Sequence, residues 1–130
     1  MANPTIPEDI RRFVLTSIPS VPFLEALLLL RADQTQPWRR DMLAARLYVR
    51  EKTAEGLLDD LCQAGMAQRC DDAEGDACRY QPDSEQLRER IDCLAELYAA
   101  HLVEVTLLIH SSLDRKAQQF ADAFKWRKDT

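Results

Sequence analysis

The chain has 130 residues, which is enough for one hydrophobic core but not for two independent ones. Hydrophobic residues make up 46% and charged residues 30%, a composition that excludes an intrinsically disordered chain. The formal net charge of −5 argues against a protein whose whole surface binds nucleic acid, but it allows a local basic face. The longest apolar run, residues 26–30, is too short to span a bilayer, and the N-terminus lacks the layout of a signal peptide. We therefore expect a cytoplasmic protein that does not bind membranes.

Two helices are predicted before residue 32. Pro7, followed by two acids, suits the start of a first helix. The apolar face of this helix consists of Ile10, Phe13, Val14 and Ser17. The segment PSVP, residues 19–22, interrupts the helical pattern. The next segment, FLEALLLLR, is apolar on nearly all sides, which predicts a helix buried at the centre of the fold.

Two short helices joined by a tight turn are predicted after a polar loop at residues 32–37. The first runs from about Trp38 to Leu47, and the second from about Glu51 to Ala64. Apolar residues are spaced so that the two helices cross and share one small core. Gly65 follows as the residue expected to end the second helix in a left-handed conformation.

A β-hairpin is predicted at residues 66–81. MAQRC and ACRYQ are short alternating segments, and the acidic, turn-rich sequence DDAEGD connects them. So small a hairpin needs to pack against helices to be stable. The chain is therefore expected to be mainly α-helical with one small β-hairpin.

A long helix and a final helix are predicted after the hairpin. Asp83 or Ser84 caps the long helix, which then runs to about Ser112. Its apolar residues recur at alternating steps of four and three over roughly three heptads, which is typical of associating helices. At about 1.5 Å per residue, this helix would be on the order of 40 Å long. The final helix covers residues 113–129.

The segment of residues 43–66 resembles the helix-turn-helix of MarR-like winged-helix transcription regulators. The positions that fit the family pattern without a gap are Leu43, Ala44, Leu47, Val49, Thr53, Ala54, Leu58, Leu61, Gly65 and Met66. The resemblance implies a winged helix-turn-helix domain at residues 1–82 and a helical dimerisation extension at residues 83–130, together one compact unit. It also implies a bacterial transcription regulator that binds double-stranded DNA as a homodimer.

The helix that would enter the DNA major groove is unusually acidic. From Arg50 to Leu61 the chain carries two basic and four acidic residues, and the hairpin at residues 69–79 has the same net charge of −2. DNA phosphates repel such surfaces. Arg50 also replaces the serine that usually caps this helix in the family, and Gly56 replaces a frequent arginine.

Two functions from different classes remain. If the chain binds DNA, the residues expected to contact it are Arg39, Arg40, Arg50, Lys52 and Thr53. The alternative for these basic residues is a solvated helix face. In the second hypothesis, the chain is a winged-helix protein-interaction module that binds a protein partner and no DNA. The family resemblance favours the regulator, whereas the net charges favour the interaction module.

A homodimer is expected because the apolar surface of the long helix is larger than a soluble monomer normally exposes. The expected interface residues are Leu94, Tyr98, His101, Leu102, Val105, Leu108, Phe120 and Phe124. The competing interpretation is that Phe13, Val14 and residues 27–30 cover the long helix within one chain.

No cofactor, metal or catalytic site is indicated by the sequence. The four cysteines, at positions 62, 70, 78 and 93, include no CxxC pair, and free thiols are expected in a cytosolic chain. Cys70 and Cys78 lie on neighbouring predicted strands and could approach each other, which leaves a redox or metal role open. The sequence has no HExxH segment, no glycine-rich phosphate loop and no nucleophile elbow, so we do not expect an enzyme.

Overall fold

The computed structural model describes residues 6–72 and 75–111, which form six α-helices and one antiparallel hairpin. The helices are α1 (Glu8–Ser17), α2 (Val21–Ala32), α3 (Arg40–Leu47), α4 (Glu51–Gln63), α5 (Glu85–Ala100) and α6 (Leu102–Ser111). The strands are β1 (Ala67–Asp72) and β2 (Gly75–Tyr80). The predicted fold class, mainly α-helical with a small hairpin, is confirmed.

The two N-terminal helices supply the centre of the core. The inward-facing residues of α1 are Ile10, Phe13 and Val14. α2 begins two residues earlier than predicted, because the Ser20 hydroxyl accepts a hydrogen bond (3.2 Å) from the Phe23 amide and Pro22 fits the first helical turn. α2 contacts α3, α4 and β2, so it is the buried central helix that its composition predicts.

Trp38 forms a one-residue strand at the position where the sequence predicts the start of a helix. Its amide donates to the Cys78 carbonyl (2.8 Å), and the Cys78 amide donates to the Trp38 carbonyl (2.9 Å). Because an extended residue cannot also open a helix, α3 begins at Arg40, two residues later than predicted. The bridge joins the segment before α3 to the hairpin, and the Trp38 side chain is buried.

The turn between α3 and α4 is closed by a left-handed residue. Tyr48 has φ 58° and ψ 44°, and its side chain is 94% exposed. This left-handed backbone region is unfavourable for a residue with a bulky side chain. The Val49 amide donates to the Ala44 carbonyl (3.1 Å) and closes the turn. The packed helices, rather than the preference of Tyr48, therefore hold the turn in this conformation.

α4 ends in a Schellman motif at the glycine that the sequence predicts. The Gly65 amide donates to the Cys62 carbonyl (3.1 Å), and the Met66 amide donates to the Leu61 carbonyl (3.0 Å). Gly65 has φ +76°, a conformation that side chains rarely adopt. A Cβ at this position would lie 2.8 Å from the Cγ of Asp83, so only glycine fits without a shift.

Gly65→Ala is expected to lower the free energy of unfolding by about 1–2 kcal/mol, because alanine disfavours the left-handed backbone and meets Asp83. Gly56→Ala is the matched control. Gly56 lies inside α4 with no atom within 4 Å of an added Cβ, so alanine should raise stability by about 0.5–1 kcal/mol. Urea unfolding measures both variants. Equal effects at the two positions would contradict this description of the turn.

The hairpin ladder extends further toward its tip than predicted. The register pairs Ala67 with Tyr80 at one end and Asp72 with Gly75 at the other. Part of the acidic segment at residues 71–76, predicted to be a loop, therefore belongs to the two strands. The pairing of Trp38 with β2 and the contacts between β1 and α4 supply the support that an isolated hairpin lacks.

The prediction of a single long helix over residues 84–112 is wrong. α5 begins at the predicted cap, because the Ser84 hydroxyl accepts a hydrogen bond (3.1 Å) from the Leu87 amide. The helix ends at Ala100, and His101 leaves the helical conformation with φ −135° and ψ 56°. α6 then runs at 115° to α5.

Burial of apolar side chains explains the bend. The bend turns α6 so that the inward-facing residues of this helix join the core of the same chain. These residues are Val105, Leu108 and Ile109. A straight helix would carry them away from the rest of the core and lose this burial. The predicted final helix at residues 113–129 lies outside the described residues. Among the described helices none alone is long and apolar enough to cross a bilayer, although the bent pairs α1–α2 and α5–α6 meet that criterion jointly.

A hydrogen bond fixes the end of α5 just before the bend. The Tyr98 hydroxyl donates to Oε1 of Glu25 in α2 (2.7 Å). Burial and this hydrogen bond raise the pKa of Tyr98 to about 12, so the hydroxyl keeps its proton at neutral pH. The last turn of α5 is therefore tied to the central helix.

Candidate nucleic-acid interface

α3 and α4 form a helix-turn-helix, and α4 presents one side to solvent. The buried residues of the two helices are Leu43, Ala44, Ala54, Leu57, Leu58 and Leu61. The exposed residues over residues 51–60 of α4 are Glu51, Lys52, Thr53, Glu55, Gly56 and Asp60. The exposed side of α4 has the position of a groove-reading helix, and its charges determine what it can bind.

The predicted DNA-contacting residues fall into two groups. Arg50, Lys52 and Thr53 are exposed together at the N-terminal end of α4, and within the described residues Arg50 and Lys52 form no ion pair. Arg39 and Arg40 lie at the start of α3 and contact acids. The positive end of the α4 helix dipole adds to the two basic side chains in the first group.

Two arginines neutralise acids on the exposed side of α4. Nη1 of Arg40 lies 3.1 Å from Oε2 of Glu55, which joins α3 to α4. Arg69 in β1 forms an ion pair and hydrogen bond with Asp59, which joins the hairpin to α4. The hydrogen bond to Asp59 raises the pKa of the Arg69 guanidinium. These pairs link residues 15 and 10 positions apart, so sequence charge counts along one helix do not reveal them.

The paired acids change the charge that α4 presents. Over residues 50–61 the formal net charge is −2. With Glu55 and Asp59 paired to neighbouring elements, two basic and two acidic residues remain and cancel. The basic pair lies at the N-terminal end of the helix, whereas Asp60 lies further along and lines a cleft next to α1. The formal net charge of residues 50–61 therefore overstates the repulsion between DNA and the N-terminal end of α4.

A cleft of about 420 Å³ lies between the helix-turn-helix and the hairpin. Three arginines and five acids line it; the acids are Asp41, Glu51, Glu55, Asp59 and Asp76. The cleft is therefore net acidic even with its ion pairs formed. Within the described ranges, no three His, Cys, Asp or Glu side chains are arranged to hold a metal ion.

The residues predicted at a dimer interface are divided by the bend after α5. Leu94, Tyr98, Val105 and Leu108 are buried within the single chain, so their side chains cannot contribute area to a partner in this conformation. His101 is half-buried at the bend, and Leu102 is 53% exposed. Phe120 and Phe124 lie outside the described residues.

Two further apolar residues of α6 are exposed, and neither belongs to the predicted set of interface residues. Val103 is 62% and Leu107 is 61% exposed. We call the exposed apolar side chains of Leu102, Val103 and Leu107 the α6 face. Their exposure depends on the direction of α6 after the bend, and a continuous heptad pattern does not encode it.

Comparisons with solved structures identify the fold. A homodimeric winged helix-turn-helix DNA-binding domain from Mycobacterium bovis, a possible ArsR-family transcriptional regulator, is 16% identical with a TM-score of 0.54, covering 80% of this chain and 95% of that one. A mutant of S. aureus MepR bound to an oligodeoxyribonucleotide is 16% identical with a TM-score of 0.52, covering 93% and 89%. A transcriptional regulator from Thermotoga maritima is 19% identical with a TM-score of 0.52, covering 92% and 81%.

These similarities confirm the predicted resemblance at the level of the fold. The chain has the winged helix-turn-helix fold of these solved structures. No protein-family model matches the chain, and no curated protein sequence matches it. Fold alone does not define function, so the surface residues of α4, the hairpin and α6 are the evidence for what this chain binds.

Proposed function

We propose that the chain is a DNA-binding transcription regulator of the winged-helix type that acts as a homodimer. The observation that carries this proposal is the exposed group of Arg50, Lys52 and Thr53 at the N-terminal end of α4. The pairing of Glu55 with Arg40 supports it, because the pair reduces the negative charge next to this group. The similar M. bovis domain and S. aureus protein are described as DNA-binding and DNA-bound, which agrees with this function.

Phosphate contacts supply most of the affinity in this proposal. Arg50 and Lys52 neutralise phosphates, and the amide groups at the N-terminus of α4 favour the same anions. Thr53 is the side chain that can donate or accept a hydrogen bond at a base edge. Gly56 offers no side chain to a base, so we expect weak sequence discrimination from the middle of α4.

The α6 face is the surface that we propose for the second copy. Leu102, Val103 and Leu107 are each more than half exposed on one helix, which leaves apolar area that a partner would cover. An isologous contact through this face would give the pair of α4 helices a two-fold arrangement. DNA half-sites arranged as a palindrome require that symmetry.

Lys52→Glu is expected to weaken binding to duplex DNA by roughly tenfold on all sequences, because it replaces a phosphate contact with a repulsive charge. The variant dimer should also lose about one to two phosphate contacts. The logarithm of the association constant should therefore fall less steeply with the logarithm of the salt concentration. Fluorescence anisotropy with a labelled random duplex measures both quantities. Arg12→Glu in α1 is the matched control, since it makes the same charge change at an exposed residue outside the helix-turn-helix. Equal losses in the two variants would remove α4 from the interface.

The acidic cleft supports a second candidate function, a protein-interaction module. Its five acids would attract a basic segment of a partner protein and repel DNA. Glu51→Gln distinguishes the two functions, because this residue lines the cleft and lies beside Lys52. We expect the variant to bind DNA more tightly if the chain is a regulator. The interaction module would be favoured if the variant binds no duplex DNA and also binds a basic peptide more weakly than the wild-type protein does.

A further inference from the structure

Two cysteines that are distant in sequence touch in the fold. The Sγ of Cys62, in the last turn of α4, lies 3.3 Å from the Sγ of Cys78, in β2. The sequence suggests Cys70 as the neighbour of Cys78, but the register sets Cys70 opposite Ala77. The thiol in direct contact with Cys78 is therefore Cys62.

The two thiols differ in their access to solvent. Cys62 is half-buried and lines a second cleft, of about 680 Å³, together with Arg69. Cys78 is 1% exposed, and its burial and the contact with Cys62 raise its pKa to about 12. Arg69 is close enough to interact electrostatically with both sulfurs. A small reagent therefore reaches Cys62 before Cys78. The Cys78 thiol is buried and keeps its proton at neutral pH.

We propose that Cys62 and Cys78 form an intramolecular disulfide when the chain is exposed to a hydroperoxide. The Cys62 sulfur attacks the peroxide: a sulfur–oxygen bond forms, the oxygen–oxygen bond breaks, and the leaving oxygen takes the thiol proton to give an alcohol, or water from hydrogen peroxide. The Cys78 sulfur then attacks the sulfenic acid, the sulfur–sulfur bond forms, and the hydroxyl leaves with the Cys78 proton as water. The two thiols lose two electrons and two protons, and the peroxide accepts them.

The positions of the two residues favour this bond over others in the chain. A disulfide has a sulfur–sulfur distance of about 2 Å, so the sulfurs need to approach by little more than 1 Å from their 3.3 Å contact. The bond would join the end of α4 to the hairpin, the two elements on either side of the acidic cleft. Any effect of this link on DNA binding rests on the proposed function, whereas formation of the bond does not.

Thiol counting and peptide mapping of the full chain test this proposal. The reduced wild-type protein is treated with hydrogen peroxide, denatured, alkylated and weighed by mass spectrometry. We expect the number of alkylated cysteines to fall from four to two in a monomeric chain mass. Trypsin should then release residues 53–69 linked to residues 70–79, and a reductant should separate them.

The Cys70→Ser variant identifies the partner, because Cys70 and Cys78 lie in the same tryptic peptide. The proposal predicts that this variant still gives the linked pair, and that Cys93 remains alkylated in every sample. Retention of all four alkylated thiols would overturn the proposal. Loss of the link in Cys70→Ser, or a disulfide between chains, would also overturn it. The test does not require Cys62 or Cys78 to be replaced, so it does not depend on the folding of a core variant.

Discussion

Val105→Glu is expected to lower the free energy of unfolding by at least about 3 kcal/mol or to prevent folding. Val105 is completely buried on α6, among apolar residues of the core. The variant loses the burial of the valine and places a carboxylate in an apolar core. Urea unfolding followed by circular dichroism measures the loss.

The neighbouring position Leu107 provides the control for this result. Leu107 is 61% exposed on the same helix, so Leu107→Glu loses little core burial and should destabilise the chain only through the dimer contact that it removes. A Val105→Glu protein as stable as wild type would contradict the packing of α6 into the core of one chain. It would instead favour the straight helix that the sequence pattern predicts.

Leu107→Glu is also expected to convert the proposed homodimer to a monomer. A charge within the α6 face should remove roughly 2–4 kcal/mol of association free energy, which raises the dissociation constant by about 30-fold to 1,000-fold. Sedimentation velocity across a range of protein concentrations measures the shift. Leu107→Met is the matched control, because it keeps an apolar side chain of similar volume and should remain dimeric.

The dimer prediction has a definite contrary outcome. A wild-type chain that sediments as a monomer at micromolar concentration would show that no second copy covers the α6 face. In that case the residues beyond Ser111, which include Phe120 and Phe124, become the next candidates to cover it. Binding to a palindromic DNA site would then lack its usual two-fold geometry.

Local signals in the sequence predict local structure well. Gly65 marks the end of α4 because only a left-handed residue completes its Schellman motif. Ser84 marks the start of α5 through a side-chain cap. Apolar spacing over residues 43–66 predicts two crossing helices, and the comparisons confirm the winged helix-turn-helix fold that the family resemblance implies.

Features that depend on contacts between distant residues could not be predicted. The bend at His101 has no proline or glycine to signal it, and it forms because α6 buries apolar side chains in the core. Trp38 becomes extended through its pairing with Cys78. The charge of α4 depends on the ion pair between Arg40 and Glu55, and on a second pair with the hairpin. Each of these interactions joins separate elements. The spacing of apolar residues along a single helix or strand therefore does not predict it.

The basic residues that are predicted to contact DNA differ in their surroundings. Arg50, Lys52 and Thr53 lie together and are exposed, as a DNA-contacting group requires. Arg40 instead pairs with Glu55, so it would have to exchange this partner for a phosphate. We therefore expect Arg50 and Lys52 to contribute more to DNA affinity than Arg40 does.

Binding of the wild-type protein to a random duplex across a salt series tests the proposed function most directly. Two protomers offer Arg50 and Lys52 twice, and each phosphate contact contributes about 0.9 to the slope. We therefore expect the logarithm of the association constant to fall with the logarithm of the salt concentration with a slope of about −3 to −4. A folded, dimeric protein that binds no duplex even at the lowest salt concentration would contradict the regulator and favour the protein-interaction module.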